Sequence, residues 1–414
     1  GLGDINGDTF EDFAIGAPLN TPADTGLTEA GQVFIVFGGP ETGYPELFSK
    51  YLGGETIFSE STFTETGGIV INGSVAGQRL GVSVSGTGDM NRDGVAEFAI
   101  GYQGANNTGG VFLVYGSRLL PPVFSVSSIG DLSLGATVRG VHIRGADTGD
   151  LAGAVVSGAG DFNDDGFSDL MIGAPHFGAG SAQGRGAAYL IFGTDQGIGS
   201  GGLINLQSLA PPTGIRIIGE ANLDRFGASV SGVGDVNGDG IGDVIIGAPD
   251  ARSGGGYAVV LFGHPDYSKI SGPNPINLAR LNDGDSSTVP PTPNSLYFTV
   301  IMPPSGQLVN AYNPPVILLP PYQPGDLGTI PGMRLSGSGL GNLGASVSGL
   351  GDVNGDGATN NLDAVQLLNF VLGNIPTLLH IENADVRMDA SINNLDAVVL
   401  MSWILGSRDL IPLR

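Results

Sequence analysis

An acidic pattern recurs along the chain and has the composition of a metal-binding loop. Carboxylates and an asparagine alternate in five segments, which are Asp4-Ile-Asn-Gly-Asp8, Asp89-Met-Asn-Arg-Asp93, Asp161-Phe-Asn-Asp-Asp165, Asp235-Val-Asn-Gly-Asp239 and Asp352-Val-Asn-Gly-Asp356. Oxygen-bearing side chains at alternate positions of a short loop can surround Ca²⁺, which takes about six to eight oxygen ligands. Without a cation, the carboxylates of one loop would repel each other. The pattern predicts calcium sites, and a metal-free Asx turn is the alternative.

The first four loops share one expected ligand pattern. Side chains at loop positions 1, 3, 5 and 9 would bind the ion, and position 7 would add a backbone carbonyl. The four sets are Asp4, Asn6, Asp8 and Asp12; Asp89, Asn91, Asp93 and Glu97; Asp161, Asn163, Asp165 and Asp169; and Asp235, Asn237, Asp239 and Asp243. A glycine at position 6 permits the sharp turn, but the first loop has Thr9 there.

Short apolar runs flank each loop and must hold it in place. In the fourth copy these runs are Phe226-Gly-Ala-Ser-Val-Ser-Gly, Val244-Ile-Ile-Gly-Ala-Pro249 and Tyr257-Ala-Val-Val-Leu-Phe-Gly263. Short β-rich runs bounded by Gly, Pro or Asp are typical of strands. Their repetition predicts a mainly β fold made of propeller blades.

The joint occurrence of Phe-Gly-Ala-Ser, Asp-x-Asn-x-Asp-Gly and Ile-Gly-Ala-Pro resembles the FG-GAP repeats of integrin α-chain β-propellers and related microbial surface proteins. The resemblance covers about residues 1–263 and 332–357. It implies a calcium-stabilised propeller over residues 1–351. This chain has fewer copies than recognised integrin propellers, and we expect about four blades, one of them split between the termini.

The two half-copies complement each other in register. The C-terminal piece is Leu343-Gly-Ala-Ser-Val-Ser-Gly-Leu-Gly-Asp352, and the N-terminal piece is Gly1-Leu-Gly-Asp4. Three alternatives follow: closure within one molecule, completion of a neighbouring subunit to build a polymer, or truncation of a larger ring. The chain begins at Gly1 without Met, which indicates a processed form or a fragment.

The fifth loop leads into a different pattern. Its acid falls at position 12, and an amphipathic run ending at Gly373 predicts a short helix. The unit recurs, because Asn360-Asn-Leu-Asp-Ala-Val is matched by Asn393-Asn-Leu-Asp-Ala-Val398. Two such loop–helix units resemble a dockerin, the paired calcium module that binds cohesin domains. The resemblance implies a small α-helical module over residues 352–408 with the ligands Asp352, Asn354, Asp356, Asn360 and Asp363.

The second dockerin-like loop departs from the pattern of the first. Its candidate ligands are Asp385, Asp389 and Asp396, whereas Arg387 occupies a ligand position and Ala390 replaces the turn glycine. The arginine could pair with the carboxylates in place of an ion. The first dockerin-like loop is also the fifth propeller loop, so we expect a rigid attachment rather than a flexible linker.

Composition limits the function further. The 16 Lys+Arg against 40 Asp+Glu give a net charge of −24, which excludes the basic surface needed for nucleic acid and disfavours anionic membranes. No apolar run is long enough for membrane insertion. The chain has no cysteine and no recognisable catalytic constellation. The proline-rich segment 264–331 is expected to be an insertion that packs on the propeller or on a partner.

Together, these features predict a secreted or cell-surface, non-enzymatic structural protein that binds about four to six calcium ions. We expect it to mediate protein–protein association or self-assembly, with a homopolymer as one form. The alternatives are a cohesin-binding or adhesion component of a surface complex and an accessory part of a secreted hydrolase.

Overall fold

The computed structural model describes residues 1–39, 68–104, 107–178, 184–195, 198, 201–236, 239–251, 256–265, 267, 276–277, 332–336 and 344–347. Asn237, most of the predicted insertion 264–331 and the whole predicted helical module 352–408 lie outside these residues.

Four β-sheets, here called blades 1 to 4, follow one another along the described chain. Blade 1 contains β1 (Phe13–Ala17), β2 (Gln32–Val36), β3 (Ile69–Asn72) and β7 (Val123–Ser125). Blade 2 contains β4 (Leu80–Gly88), β5 (Glu97–Tyr102), β6 (Gly110–Val114), β8 (Ile129–Gly130), β9 (Val138–Arg144) and β13 (Leu203–Asn205). Blade 3 contains β10 (Val155–Gly160), β11 (Asp169–Ala174), β12 (Ala187–Ile191), β14 (Gly214–Ile218) and β18 (Ile276–Asn277). Blade 4 contains β15 (Ser229–Gly234), β16 (Asp243–Ala248), β17 (Tyr257–Leu261) and β19 (Gly332–Ser336).

The mainly β prediction is confirmed. Blades 2, 3 and 4 each begin with an inner strand (β4, β10 or β15) that pairs antiparallel with the strand after the acidic loop. Among the described residues, blade 1 has no such inner strand, and β1 pairs with β2 alone. As a consequence Phe13 and Ile15 are 42% and 49% exposed, whereas β11 in blade 3 is buried along its whole length.

Short straps, which the sequence patterns did not reveal, protect the outer edges of three blades. After leaving a blade, the chain returns to add a parallel strand to the preceding blade: β7 pairs with β3, β13 with β9 and β18 with β14. The 3₁₀ turns Val126–Ser128 and Leu206–Ser208 follow β7 and β13, and a third turn spans Leu132–Leu134. Covering a sheet edge prevents unwanted strand pairing. Since β18 falls at Ile276–Asn277, this part of the predicted insertion belongs to blade 3.

The hydrophobic core lies between neighbouring blades. Ile35 and Ile71 of blade 1 form one cluster with Phe98 and Ile100 of blade 2. Similar clusters join blade 2 to blade 3 and blade 3 to blade 4. Each sheet buries its face against the next, so no blade has a complete core alone.

A glycine in the strand after each acidic loop sets the spacing between blades. A Cβ on Gly173 would overlap the carbonyl oxygen of Gly227, where blade 4 begins. The same relation joins Gly101 to Gly153 and Gly247 to Gly344. These backbones approach too closely for any side chain, which explains why the Ile-Gly-Ala-Pro motif needs glycine there.

Replacing one of these glycines should therefore separate two blades. We expect Gly173→Ala to lower the free energy of unfolding by about 1–3 kcal/mol, because the methyl group overpacks the contact with Gly227. Urea unfolding measures this loss. Gly130→Ala is the control, since the nearest atom to its added Cβ is 3.4 Å away. Equal stability of the two variants would contradict the close-contact explanation.

Candidate metal centres

The acidic loops lie at equivalent places in the blades. In blades 2, 3 and 4 the loop joins the inner strand to the next strand, and in blade 1 it precedes β1. In blade 3, Asp161 accepts hydrogen bonds from the backbone N–H groups of Asp165 (3.0 Å) and Gly166 (2.8 Å). Asp235 accepts the corresponding bonds in blade 4 from Asp239 (3.1 Å) and Gly240 (2.7 Å). The backbone of positions 5 and 6 therefore turns back toward the carboxylate at position 1.

The turn at position 6 requires a left-handed backbone. Gly94, Gly166 and Gly240 adopt φ values of 86°, 84° and 90° there, as the glycine pattern predicts. Thr9 adopts the same conformation in the first loop, with φ 78°. A β-branched residue in this region is strained.

Relieving this strain should stabilise the first loop. We expect Thr9→Gly to raise the free energy of unfolding by about 0.5–1 kcal/mol, because the left-handed cost of about 1–2 kcal/mol exceeds the entropy cost of glycine. Thermal unfolding of the full chain measures the gain. Thr9→Ala keeps a Cβ and serves as the control. A gain as large in Thr9→Ala would show that Thr9 is destabilising for another reason.

The acid at position 9 is buried in each of the four blade loops. Asp12, Glu97, Asp169 and Asp243 are each at most 1% exposed. In blade 3, Asp169 accepts one hydrogen bond from Phe162 N–H in the loop and another from Gly193 N–H after β12, both at 2.9 Å. The acid therefore links the loop to the residue that follows the third strand of its own blade. Asp12 and Asp243 make the same two kinds of bond.

The second loop brings its predicted ligands closest together. Among the described residues, Asp89, Asp93 and Glu97 form the group whose ligand atoms all lie within 4.8 Å of one another. Asn91 belongs to the same loop and donates to Glu97 at 2.8 Å. Glutamate is one methylene longer than the aspartate of the other loops, which lets its carboxylate reach the loop centre.

The electrostatics of these loops fit a bound cation. Burial, with Asp93 and Asp89 adding repulsion, raises the pKa of Glu97 to about 8. Burial likewise raises the pKa of Asp243 to about 7 and holds the pKa of Asp169 well above its usual value. Buried anions of this kind are stable only with a compensating charge. All donors are oxygens, which is the chemistry that Ca²⁺ prefers.

The other predicted ligands are placed less compactly. Asp4, Asn6 and Asp8, and likewise Asn163 and Asp165, hydrogen-bond within their own loops and lie beside the buried acid. Within the described residues, the acids of loops 1, 3 and 4 do not form a group as tight as that of loop 2. Asn237 lies outside the description, as do Asp352, Asn354, Asp356, Asn360, Asp363, Asp385, Asp389 and Asp396.

Two arginines near the loops were not anticipated from the sequence. Arg92, at position 4 of the second loop, donates to the carbonyl of Gly166 in the third loop at 2.6 Å and lies over the Phe167 ring. Arg118 donates to the carbonyls of Asn6 and Gly7 in the first loop. Their only sequence signal is the presence of rare cations in an acidic chain. Both arginines connect loops of neighbouring blades.

Removing calcium should expose the cost of the buried acids. In EGTA, we expect the urea midpoint to fall as the pH rises from about 5 to about 8.5. The folded-state pKa values of Glu97 and Asp243 are raised, so their contribution to stability is complete below the unfolded values of 4.5 and 3.8 and is lost as the pH passes about 8 and about 7. Saturating calcium should weaken this dependence, because ion binding favours the ionised acids.

Glu97→Gln tests the assignment to one residue. The glutamine side chain is uncharged at every pH, so this variant should lose part of the pH dependence of the urea midpoint in EGTA and part of the stabilisation by calcium. Glu11→Gln, at an exposed position, is the control. A pH profile unchanged by Glu97→Gln would contradict the role of this buried acid.

The fold and the acidic loops together define a repeat protein of β-blades with calcium-type loops. The FG-GAP repeat family matches residues 1–36, 152–191 and 226–261, and the Dockerin type I domain family matches residues 350–405. The chain therefore carries FG-GAP repeats and a C-terminal dockerin type I domain, as the motifs predict. Both families are generally calcium-binding and point to extracellular protein–protein interaction. The matched ranges leave out blade 2.

Relatives of known name share the repeat region. The chain is 30% identical over 201 residues to phosphatidylinositol-glycan-specific phospholipase D of Rattus norvegicus, covering 46% of this chain and 21% of that protein. It is 30% identical over 191 residues to integrin alpha pat-2 of Caenorhabditis elegans, covering 46% and 14%. Integrin alpha-E of Mus musculus is 40% identical over 116 residues, covering 27% and 9%. The chain spans about a fifth of the length of the first of these relatives.

Within the described residues, no helix has the length and apolarity needed to span a bilayer. In the same part of the chain, Asp89, Asp93 and Glu97 are the one group of three acidic side chains whose ligand atoms all lie within 4.8 Å of one another.

Proposed function

We propose that this protein is a secreted or cell-surface, non-enzymatic, calcium-binding interaction protein that assembles head to tail with further copies of itself. Calcium would bind the four blade loops through the predicted side chains at positions 1, 3, 5 and 9. Together with up to two further ions at the dockerin loops, the total would be about four to six. The propeller, residues 1–351, and the dockerin module, residues 352–408, would share the loop that begins at Asp352 and act as one rigid unit.

The observation that carries this proposal is a pair of complementary ends. At one end of the blade row, the inner edge of β1 has no partner among the described residues, and Ile15 is exposed beside it. At the other end, the carbonyl of Gly344 accepts a hydrogen bond from Ser229 Oγ at 2.7 Å. Ser83 Oγ makes the same bond to Gly153, where blade 3 begins, at 2.8 Å. Residues 344–347 thus leave blade 4 as the inner strand of a further blade would.

The open row favours pairing between molecules. Within the described residues, blade 1 packs against blade 2 and blade 4 against blade 3, without extensive contact between blades 1 and 4. A strand from Leu343 to Gly351 of one copy could pair with β1 of the next, because its sequence matches the inner strand that pairs with β16. Such head-to-tail contacts repeat without closing and build filaments.

Sedimentation velocity in millimolar calcium and in EGTA tests this assembly. We expect large particles in calcium that dissociate in EGTA. Ile15→Asp should reduce the particles to monomers without unfolding the chain, because this side chain is already half exposed. Leu119→Asp, at a position that is 89% exposed and lies outside β1 and residues 343–351, should leave the particles intact. A synthetic peptide of residues 343–351 should cap the chains and shorten them.

Other outcomes would redirect the proposal. If the chain is a monomer in calcium and the Ile15→Asp variant sediments in the same way, self-assembly is contradicted and closure within one chain is favoured. Capture of a type I cohesin by that monomer would support the alternative of a cohesin-binding component. The phospholipase D relatives favour a third role, as an accessory part of a secreted hydrolase, and association with a separate hydrolase chain would support it.

A further inference from the structure

Blade 2 departs from the repeat pattern at one face. The strand after the acidic loop ends in Gly-Ala-Pro in blades 1, 3 and 4, whereas blade 2 has Gly101-Tyr102-Gln103. The Tyr102 side chain lies across Gly110, where any side chain would clash with its hydroxyl. Its hydroxyl is 2.8 Å from Nε2 of His142 on β9. The His142 ring stacks on Phe112 with centroids 4.4 Å apart.

These exchanges leave a cavity on blade 2. It has a volume of about 330 Å³ and is lined by groups that include Gln78, Tyr102, Phe112, Val126, Ile129 and His142. In blade 3 the ring of Phe177 packs edge-on against Tyr189, with centroids 6.4 Å apart, and the Arg216 guanidinium lies over the Phe177 ring. At the sequence positions of His176 and Phe177, blade 2 has Gly104 and Ala105. Blade 2 thus lacks the aromatic side chain that packs on Tyr189 in blade 3.

The cavity is lined by neutral groups. The cross-strand partner of Phe112 is His142, whereas Tyr189 at the same register in blade 3 faces Arg216. Likewise Gln78 stands where the repeat of blade 3 has Asp150. Burial, with Arg144 nearby, lowers the pKa of His142 to about 4, so the imidazole is uncharged at neutral pH.

The polar groups of the cavity lie beside an apolar wall. Gln78 Oε1 accepts a hydrogen bond from Ser74 N–H at 2.7 Å, and its amide NH₂ donates to no group within the described residues. Tyr102 and His142 offer further donor and acceptor atoms. Val75, which is 58% exposed, adds aliphatic surface to that of Phe112, Val126 and Ile129, which are at most 9% exposed. Pockets of a few hundred Å³ with apolar walls and a few convergent polar groups are typical of small-ligand sites.

We propose that this cavity binds a neutral sugar residue, with the apolar face of the ring against the aromatic and aliphatic wall and its hydroxyls on Gln78, Tyr102 and His142. A pyranose combines a C–H face with hydroxyls that both donate and accept, which matches the two sides of the cavity. A charged ligand would find no counter-ion among the lining residues. The proposal is independent of the blade assembly.

Saturation-transfer NMR on the calcium-loaded full chain tests the site. The probes are the methyl glycosides of glucose, galactose, mannose and N-acetylglucosamine. Methyl glucuronide serves as a charged sugar for comparison, and N-acetylproline amide serves as a neutral compound that is not a sugar. We expect saturable binding of at least one neutral glycoside at millimolar concentration, and at least tenfold weaker binding of methyl glucuronide and of the proline amide.

Two variants that introduce residues found in the other blades test whether the glycoside binds in this cavity. Tyr102→Ala introduces the residue that blades 1, 3 and 4 carry, and His142→Arg introduces the residue of blade 3, so both should fold. Each should weaken glycoside binding at least tenfold, whereas Leu119→Ala should not change it. Absence of saturable glycoside binding, preference for the charged or the proline probe, or equal binding by Tyr102→Ala would each overturn the proposal.

Discussion

The rest of the structure depends on the hydrogen bonds of the buried carboxylate at the ninth position of each of the four blade loops. In blades 3 and 4, Asp169 and Asp243 each use one oxygen for a backbone N–H in the loop and the other for a glycine N–H beyond the third strand. These bonds fix the loop against its own sheet. Burial raises the pKa of this acid, so ionising it without a nearby positive charge is costly, and the group that orders the blade also creates the demand for a cation. The loop shape and the calcium dependence that we propose would thus arise from one constraint.

Because the four blades share one sequence pattern, the positions at which one blade differs indicate features particular to that blade. Blades 1, 3 and 4 share Gly-Ala-Pro after the loop, and the glycine brings neighbouring backbones into contact. Blade 2 keeps this glycine at Gly101 and therefore keeps the close contact with Gly153 of blade 3. The side chains around the glycine differ, and a cavity lies beside Tyr102 and His142. The same blade carries glutamate instead of aspartate at loop position 9, which gives the tightest cluster of acids. The blade that departs from the family pattern therefore combines the most compact candidate metal site with the cavity.

The sequence allowed the loops, the strands beside them and the mainly β class to be predicted, because each depends on local patterns. The strands predicted in the fourth copy correspond to β15, β16 and β17. The straps could not be predicted, since β7 and β13 are only three residues long and pair with the preceding blade. The hydrogen-bonding role of Asp169 was also missed. Its position in the motif indicates a ligand, whereas the glycine N–H that it binds lies beyond another strand.

Hydrogen exchange of the full chain in calcium and in EGTA tests the central claim most directly. The amides to follow are those that bond the ninth-position acids, at Ile5, Met90, Phe162 and Val236. If a cation stabilises the buried carboxylates, calcium should slow exchange at these four amides together, more than at the strap amides. Equal exchange with and without calcium would contradict the account.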